Sequence, residues 1–330
     1  MAVTMADISK LRSLTGAGMM DCKNALQEAD GDIEAAKEII RKKGQAVAAK
    51  REDREAAEGC VLAKANGGYA AIVALKCETD FVANNESFVA LTNRILNAVM
   101  EAKPKTREEV LALTIDGVEV ATLITDEIGK TGEKMELGDF NFIEADHTVV
   151  YNHQNKNQLC AIVGLNKAND EAGKRVAMQI AAMNPIAIDE DGVSDEIKNA
   201  EIAVAIEKTK AEQVQKAVEV ALKKAGINPA HVDSEDHMES NKAKGWITEE
   251  DVAKAKEIIA TVSAEKAANL PEAMIQNIAK GRLGKFLKEV CLLNQEDVVA
   301  GDKKSVRETL KAVDADLKVL SFKRINLNVD

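Results

Sequence analysis

Apolar residues recur at helical spacing from the start of the chain. Met5, Ile8 and Leu11 share one helical face, with Thr4 and Asp7 spaced as a capping box. Thr15-Gly16-Ala17-Gly18 breaks that helix, and Met19 to Ala29 forms a second. Asp30-Gly31-Asp32 turns the chain, and Ile33, Ala36 and Ile40 stripe a third helix. The charged, proline-free run from 45 to 55 reads as a helical linker. Alternation follows: Val61, Ala63, Ile72 and Ala74 flank Asn66-Gly67-Gly68 as a β-hairpin across 58 to 77. Phe88, Leu91, Ile95 and Val99 stripe a helix over 86 to 102, and Thr106 with Glu109 opens another by a capping box. Val118 to Gly129 reads as a further helix. Met135 to Ile143, His147 to Tyr151 and Leu159 to Leu165 read as strands.

From Ser194 the period changes. Positions 197, 200, 204, 211, 214, 218, 221 and 225 form a narrow apolar seam on one long helix, broken at Glu207 and ended by Gly226-Ile227-Asn228-Pro229. After a polar loop, Thr248 to Asp251 begins a return helix striped by Val252, Ala255, Ile259 and Val262, so an antiparallel helical hairpin is expected. Pro271 opens another helix through Met274, Ile278, Phe286 and Leu287, Ser305 and Glu308 cap the next, and Leu317 to Leu327 reads as a last strand closing a second sheet.

The segment Ala71-Ile72-Val73-Ala74-Leu75 recurs as Ala161-Ile162-Val163-Gly164-Leu165. Each copy follows another strand-like run and precedes a helix ending near a proline, Pro104 or Pro185. Between strand and proline lie 28 residues in the first copy (76 to 103) and 19 in the second (166 to 184). The excess of nine equals the length of Cys77 to Asn85, C-E-T-D-F-V-A-N-N. Function is expected where one copy of a repeated unit is elaborated at a strand-to-helix turn. Phe81, one of nine aromatics in the chain, stands there among polar residues. On the residues alone two readings stay open: Phe81 is presented to a partner, or Asp80 caps the next helix and Phe81 packs back onto its own core. Met19 and Met20 likewise read as core or as an adaptable contact surface.

Composition narrows the chemistry. The chain has 330 residues, 46% apolar and 3% aromatic, which suits two or three alanine-rich domains with closely packed helices. A net charge of −11 argues against a general affinity for nucleic acid or anionic membranes. Met1 to Lys10 lacks a signal-peptide core, and no apolar run approaches the roughly 20 residues of a membrane helix. Five scattered cysteines without a C-x-x-C read as reduced thiols of a cytoplasmic protein. Gly129-Lys130-Thr131 resembles the end of a phosphate loop, but Ile124 stands where its first glycine belongs. Gly281-Arg282-Leu283-Gly284-Lys285 lies within a helix pattern. His231, Asp233, Glu235, Asp236 and His237 offer zinc-type donors on a polar loop with nothing to fix their geometry. No catalytic residue, cofactor or metal site is expected. A thiol or metal enzyme would have to use Cys77, or His231 with His237.

Thr79-Asp80-Phe81-Val82-Ala83-Asn84-Asn85 resembles the signature of the elongation factor Ts family, the guanine-nucleotide exchange factors of bacterial elongation factor Tu. Leu11 to Leu26, L-R-S-L-T-G-A-G-M-M-D-C-K-N-A-L, is similar to that family's N-terminal domain, a ubiquitin-associated-like bundle. The family usually has Arg or Lys where Asn84 stands, and Gln-Pro-Phe-Val where Gln295-Glu296-Asp297-Val298 stands. The resemblance implies an α+β fold: a three-helix bundle with linker over 1–54, a first α+β core unit over 55–140 and a second over 141–330. The two core units carry small antiparallel sheets with helices, and the coiled-coil-like hairpin is inserted at about 194–268. It implies a cytoplasmic, non-enzymatic factor that binds elongation factor Tu, GDP-bound and nucleotide-free, without nucleic acid or membrane. Thr79, Asp80, Phe81 and Val82 would dislodge the partner's Mg²⁺, with Phe81 as an apolar wedge. Ala83, Asn84, Met19 and Met20 would support the contact. The alternative is a non-catalytic adaptor that binds without changing nucleotide affinity.

Overall fold

The computed structural model describes residues 3–327. The chain divides into two compact units, Met1–Ile188 with Glu296–Asp330, and Asp189–Gln295. Among the described residues no helix is long and apolar enough to cross a membrane.

The first unit opens with three helices, α1 (Met5–Thr15), α2 (Met19–Glu28) and α3 (Ile33–Arg51). The Thr4–Asp7 capping box is formed, and Ile8, Leu11, Cys22, Ala25, Leu26 and Ala36 are the bundle's core. The stretch expected as a linker is largely α3 itself, which runs through Gly44 to Arg51. The antiparallel hairpin β1 (Glu58–Asn66) and β2 (Tyr69–Cys77) follows. Then come α4 (Asp80–Ala83), α5 (Glu86–Ala102) and α6 (Arg107–Ala112). The two-residue strands β3 (Thr114–Ile115) and β4 (Val118–Glu119) lead into α7 (Val120–Thr131) and β5 (Met135–Glu144). The helix expected from Val118 therefore starts two residues late. Asp116 and Gly117 both take positive φ, 53° and 80°, as an Asp-Gly hairpin turn requires, and Val118 pairs with Ile115.

Gly44 and Gly129 let α3 cross α7 at backbone contact. A Cβ added at Gly129 would lie 2.8 Å from the Gly44 Cα. That close approach, rather than phosphate binding, accounts for the glycine of Gly129-Lys130-Thr131.

β5 adds to β2 in an antiparallel sheet of order β1-β2-β5. β2 is buried on both faces. Tyr69, Ala71, Val73, Leu75 and Cys77 face a core with Phe88, Leu91, Ile95 and Val99 of α5, while Ala70, Ile72 and Ala74 join a core with Cys160, Ile162 and Ile325. Burying each large α5 side chain contributes about 1.5–3 kcal/mol. β6 (His147–Asn152), β7 (Leu159–Leu165) and α8 (Asp170–Met183) repeat the plan. Both long helices of the repeat end on a left-handed residue before a proline, Lys103 before Pro104 and Asn184 before Pro185.

The second unit holds α9 (Asp195–Lys224), α10 (Glu235–Ala243), α11 (Glu249–Ala268) and α12 (Glu272–Val290). α9 packs on the return helix α11, as the expected hairpin does, and also on α12, so a third long helix joins the pair. The seam shifts accordingly. Ala205, Thr209 and Leu222 are buried, whereas Ile197 and Val204 of the expected seam are exposed, because a helix flanked by two neighbours buries a different stripe against each. The expected polar loop contains α10, capped by Ser234 and anchored by buried Met238 in a core with Leu222, Ile227, Val232, Ile247 and Ala255.

The chain re-enters the first unit with α13 (Val306–Val313), whose Ser305–Glu308 capping box is formed, and β8 (Val319–Asn326). β8 pairs with β7, giving a second antiparallel sheet of order β6-β7-β8. The fold is thus α+β: a helical bundle, two small antiparallel sheets with helices in a duplicated core, and a helical insertion.

The Gly44–Gly129 crossing sets a test. Gly129→Ala gains about 1 kcal/mol of helix propensity, but its methyl meets a backbone atom that cannot rotate away, and such overpacking costs about 1–3 kcal/mol. A lower urea midpoint is expected for Gly129→Ala. Gly281→Ala in α12, where the added Cβ meets nothing within 4 Å, is expected to be neutral or stabilising.

Candidate functional site

The last main-chain pair between β2 and β5 is Cys77 with Met135. Beyond it the strands part, and side chains take over the hydrogen bonding. Glu78 accepts the Lys134 N–H at 2.6 Å and Arg54 Nη1 at 2.9 Å, with Arg51 Nη1 3.7 Å away. Glu133 grips Thr79 twice: Oε2 accepts the Thr79 N–H at 3.1 Å and Oε1 accepts its hydroxyl at 2.7 Å. Thr79 is extended and caps α4, its Oγ1 facing the Val82 N–H at 3.5 Å.

α4 is a single turn with two faces. Ala83 is buried, and Val82 is half-buried against the α5 core. Asp80 and Asn84 are exposed, and Phe81 is 85% exposed, the most exposed large apolar side chain among the described residues. The Asn84 amide donates to the Asp80 carbonyl at 2.8 Å, closing the turn. Asn85 then caps α5 by accepting the Ser87 N–H at 2.9 Å. Of the two sequence readings, the one with Phe81 on its own core is overturned, and the cap of α4 is Thr79 rather than Asp80. Only four of the nine extra residues of the first repeat copy lengthen this connection; two extend β2 past Leu75 and three lengthen α5 relative to α8.

Met19 and Met20 begin α2 of the bundle and are 49% and 62% exposed, so neither is a core residue. The Asp297 stretch holds a different structure. Asp297 is buried, pairs with Arg175 Nε at 2.9 Å, and accepts the N–H groups of Val299 and Ala300. Gln179 brackets the same loop, accepting from Val298 and donating to Glu296, and Val298 and Val299 are left exposed.

Glu78 lies in the marked Cys77–Asn85 stretch, but no local sequence signal marks Glu133, Lys134 or Arg54. Glu133 lies 54 residues from Thr79, and no periodicity or motif marks such a pairing.

Nucleophilic chemistry is disfavoured at the turn. All five cysteines are buried. Burial, and then the Glu133 carboxylate, push the Cys77 thiol up to about 12. Burial, and then the neighbouring Cys60, raise Cys160 to about 12, and burial raises Cys60 to about 11 against the opposing hydrogen bond of Thr92. Such thiols stay protonated and unreactive at neutral pH. His237 pairs with Asp233, Nδ1 to Oδ1 at 2.5 Å, and among the described residues no three His, Cys, Asp or Glu side chains gather as a metal site. Lys130 is engaged by Glu127 at 2.7 Å, and Arg282 by Glu212 at 2.5 Å.

Comparison with known proteins places these features in a family. The family model described as Elongation factor TS matches residues 78–219 and 200–328. Elongation factor Ts of Phocaeicola vulgatus is 69% identical over 330 residues, and that of Parabacteroides distasonis is 69% identical over 330. That of Bacteroides thetaiotaomicron is 70% identical over 331. Each alignment covers 100% of this chain and 100% of the relative.

Thiol accessibility checks the burial. A thiol-specific reagent at pH 8 is expected to label none of the five cysteines in the native protein and all five in denaturant; rapid native labelling of Cys77 would show the strand end to be open.

Proposed function

The chain belongs to the elongation factor Ts family, and on that premise we propose that it is a guanine-nucleotide exchange factor of translation elongation. It binds elongation factor Tu in the GDP-bound and nucleotide-free states, in the cytoplasm, and promotes GDP release without covalent chemistry of its own. Neither nucleic acid nor membrane takes part in the contact. The observation that carries this reading is Phe81, 85% exposed on a turn that Thr79, Val82 and Ala83 anchor to the protein.

Exchange requires that the factor favour a nucleotide-poor partner. By linkage, if the bound factor weakens GDP, bound GDP weakens the factor by the same free energy. Thr79, Asp80, Phe81 and Val82 supply the lever. Phe81 moves from water into the partner, a transfer of about 1.5–3 kcal/mol. Because that gain is made only when the partner opens to receive the ring, it offsets the loss of GDP contacts. Asp80 brings a negative charge to a site where Mg²⁺ neutralises phosphates, which weakens hold on the ion and hence on the nucleotide. Thr79 and Val82 fix the turn from the protein side, with Ala83 seated in the core and Asn84 closing α4.

Met19 and Met20 dock the bundle on the partner's G domain, where flexible thioether side chains adapt to an apolar surface. The second core unit grips a more distant domain. Several grips on one partner raise the effective concentration of the wedge.

Release of a fluorescent GDP analogue from elongation factor Tu tests the reading. The wild-type chain is expected to accelerate release strongly. Phe81→Ala should lower the maximal rate about ten- to a hundredfold, the kinetic equivalent of the transfer above, and Asp80→Ala should lower it less. Affinity for nucleotide-free partner should fall by a smaller factor in both. Binding by the wild type with no change in the GDP off-rate would establish the adaptor instead.

A further inference from the structure

The β2–β5 ladder does not simply stop at Cys77 and Met135. Continuing its register, the next opposed pairs are Glu78 with Lys134 and Thr79 with Glu133. Both pairs are hydrogen-bonded, but in each the acceptor is a carboxylate in place of a main-chain carbonyl. Glu78 takes the Lys134 N–H, and Glu133 takes the Thr79 N–H. The two strands exchange carboxylate–amide bonds across successive rungs. A carboxylate reaches farther from its own backbone than a carbonyl, so the chains separate while each N–H keeps a partner. The separation sends β2 into the turn that carries Phe81.

We propose that Glu133 is a positioning residue for the exchange turn: by holding the Thr79 N–H and hydroxyl together, it fixes the direction in which Asp80 and Phe81 project. The inference rests on the exchange reading above. Three features of the geometry carry it. Thr79 is the residue immediately before Asp80 and the cap of α4, so its orientation sets the axis of the turn. Glu133 is itself fixed, since α7 ends on a left-handed Gly132 and the Glu133 N–H donates to Thr131 Oγ1 at 3.3 Å. Its neighbour Lys134 is anchored too, its Nζ donating to the Glu52 carbonyl at 2.8 Å beyond the end of α3. Glu133 therefore braces the turn from rigid elements on the opposite strand. Two charge-assisted bonds to one residue restrict it in both position and rotation, and a wedge that arrives already oriented loses less freedom on insertion.

A brace and a wedge acting in series make a prediction that a merely stabilising contact does not. GDP release from elongation factor Tu would be measured over a range of factor concentrations for wild type, Phe81→Ala, Glu133→Gln and the double variant. Glu133→Gln keeps the side-chain shape but removes the charge and leaves one Thr79 donor without its acceptor. The maximal rate should fall about tenfold, with the half-saturating concentration nearly unchanged; tenfold corresponds to one charge-assisted hydrogen bond of ~1.4 kcal/mol. In the Phe81→Ala background Glu133→Gln should have a much smaller further effect, limited to the part that Asp80 contributes. If Glu133→Gln does not fold, as judged by circular dichroism and thermal midpoint, Thr79→Val tests the same bond from the other side with the same expected pattern. A wild-type maximal rate for the Glu133 or Thr79 variant would overturn the proposal while leaving the wedge intact. So would a full further tenfold loss in the double variant, or a change confined to half-saturation. An undiminished maximal rate for Phe81→Ala would overturn the wedge itself, and the brace with it.

Discussion

The structure around the Phe81 turn depends on how two strands end. A β-ladder that frays into solvent leaves its last residues without defined direction. Here β2 and β5 finish on reciprocal carboxylate–amide bonds, Glu78 to Lys134 and Glu133 to Thr79, backed by Arg54 on Glu78. The elements around this point serve it. α3 runs unbroken from the bundle to Arg51 and crosses α7 at Gly44 and Gly129, and α7 delivers Glu133. The helical bundle and the turn are thus joined by two helices in backbone contact rather than by a flexible tether.

The cost of the arrangement is a phenylalanine in water. An aromatic ring left 85% exposed forgoes most of the roughly 1.5–3 kcal/mol that its burial would contribute. The fold tolerates that because its core is supplied elsewhere: β2 is buried on both faces, and Val82 and Ala83, beside Phe81, are turned inward. A similar division holds at Asp297, where a buried carboxylate paired with Arg175 supports a loop whose Val298 and Val299 face out. In both places a polar anchor beneath the surface presents an apolar group above it.

How much of this is legible in the sequence follows from how local each signal is. The repeated Ala71–Leu75 and Ala161–Leu165 strands are visible because β-branched alternation and the flanking helix patterns occur together, and both become central strands of their sheets. The capping boxes at Thr4 and Ser305 are local and are formed. Phe81 is conspicuous because an aromatic between Asp80 and two asparagines has no apolar stripe to join. The failures are equally physical. Val118 continues an apolar spacing into α7, which hid the stronger Asp116-Gly117 turn signal. The apolar seam of α9 has the phase of a helix with one partner, while α11 and α12 both pack on it. Glu133 is invisible to any local pattern, because its role is a side-chain bond across 54 residues and its own neighbours, Gly132 and Lys134, suggest only a surface turn.

A turn braced by Glu133 holds Phe81 in place before any partner arrives. Backbone ¹⁵N relaxation of the free protein over residues 78–85 tests it most directly. Amide order parameters for Thr79 to Asn84 close to those of β2, about 0.85, are the expected result. Values below about 0.6 across Asp80 and Phe81, with β2 itself rigid, would mean that the turn is ordered only by its partner and that Glu133 does not hold it.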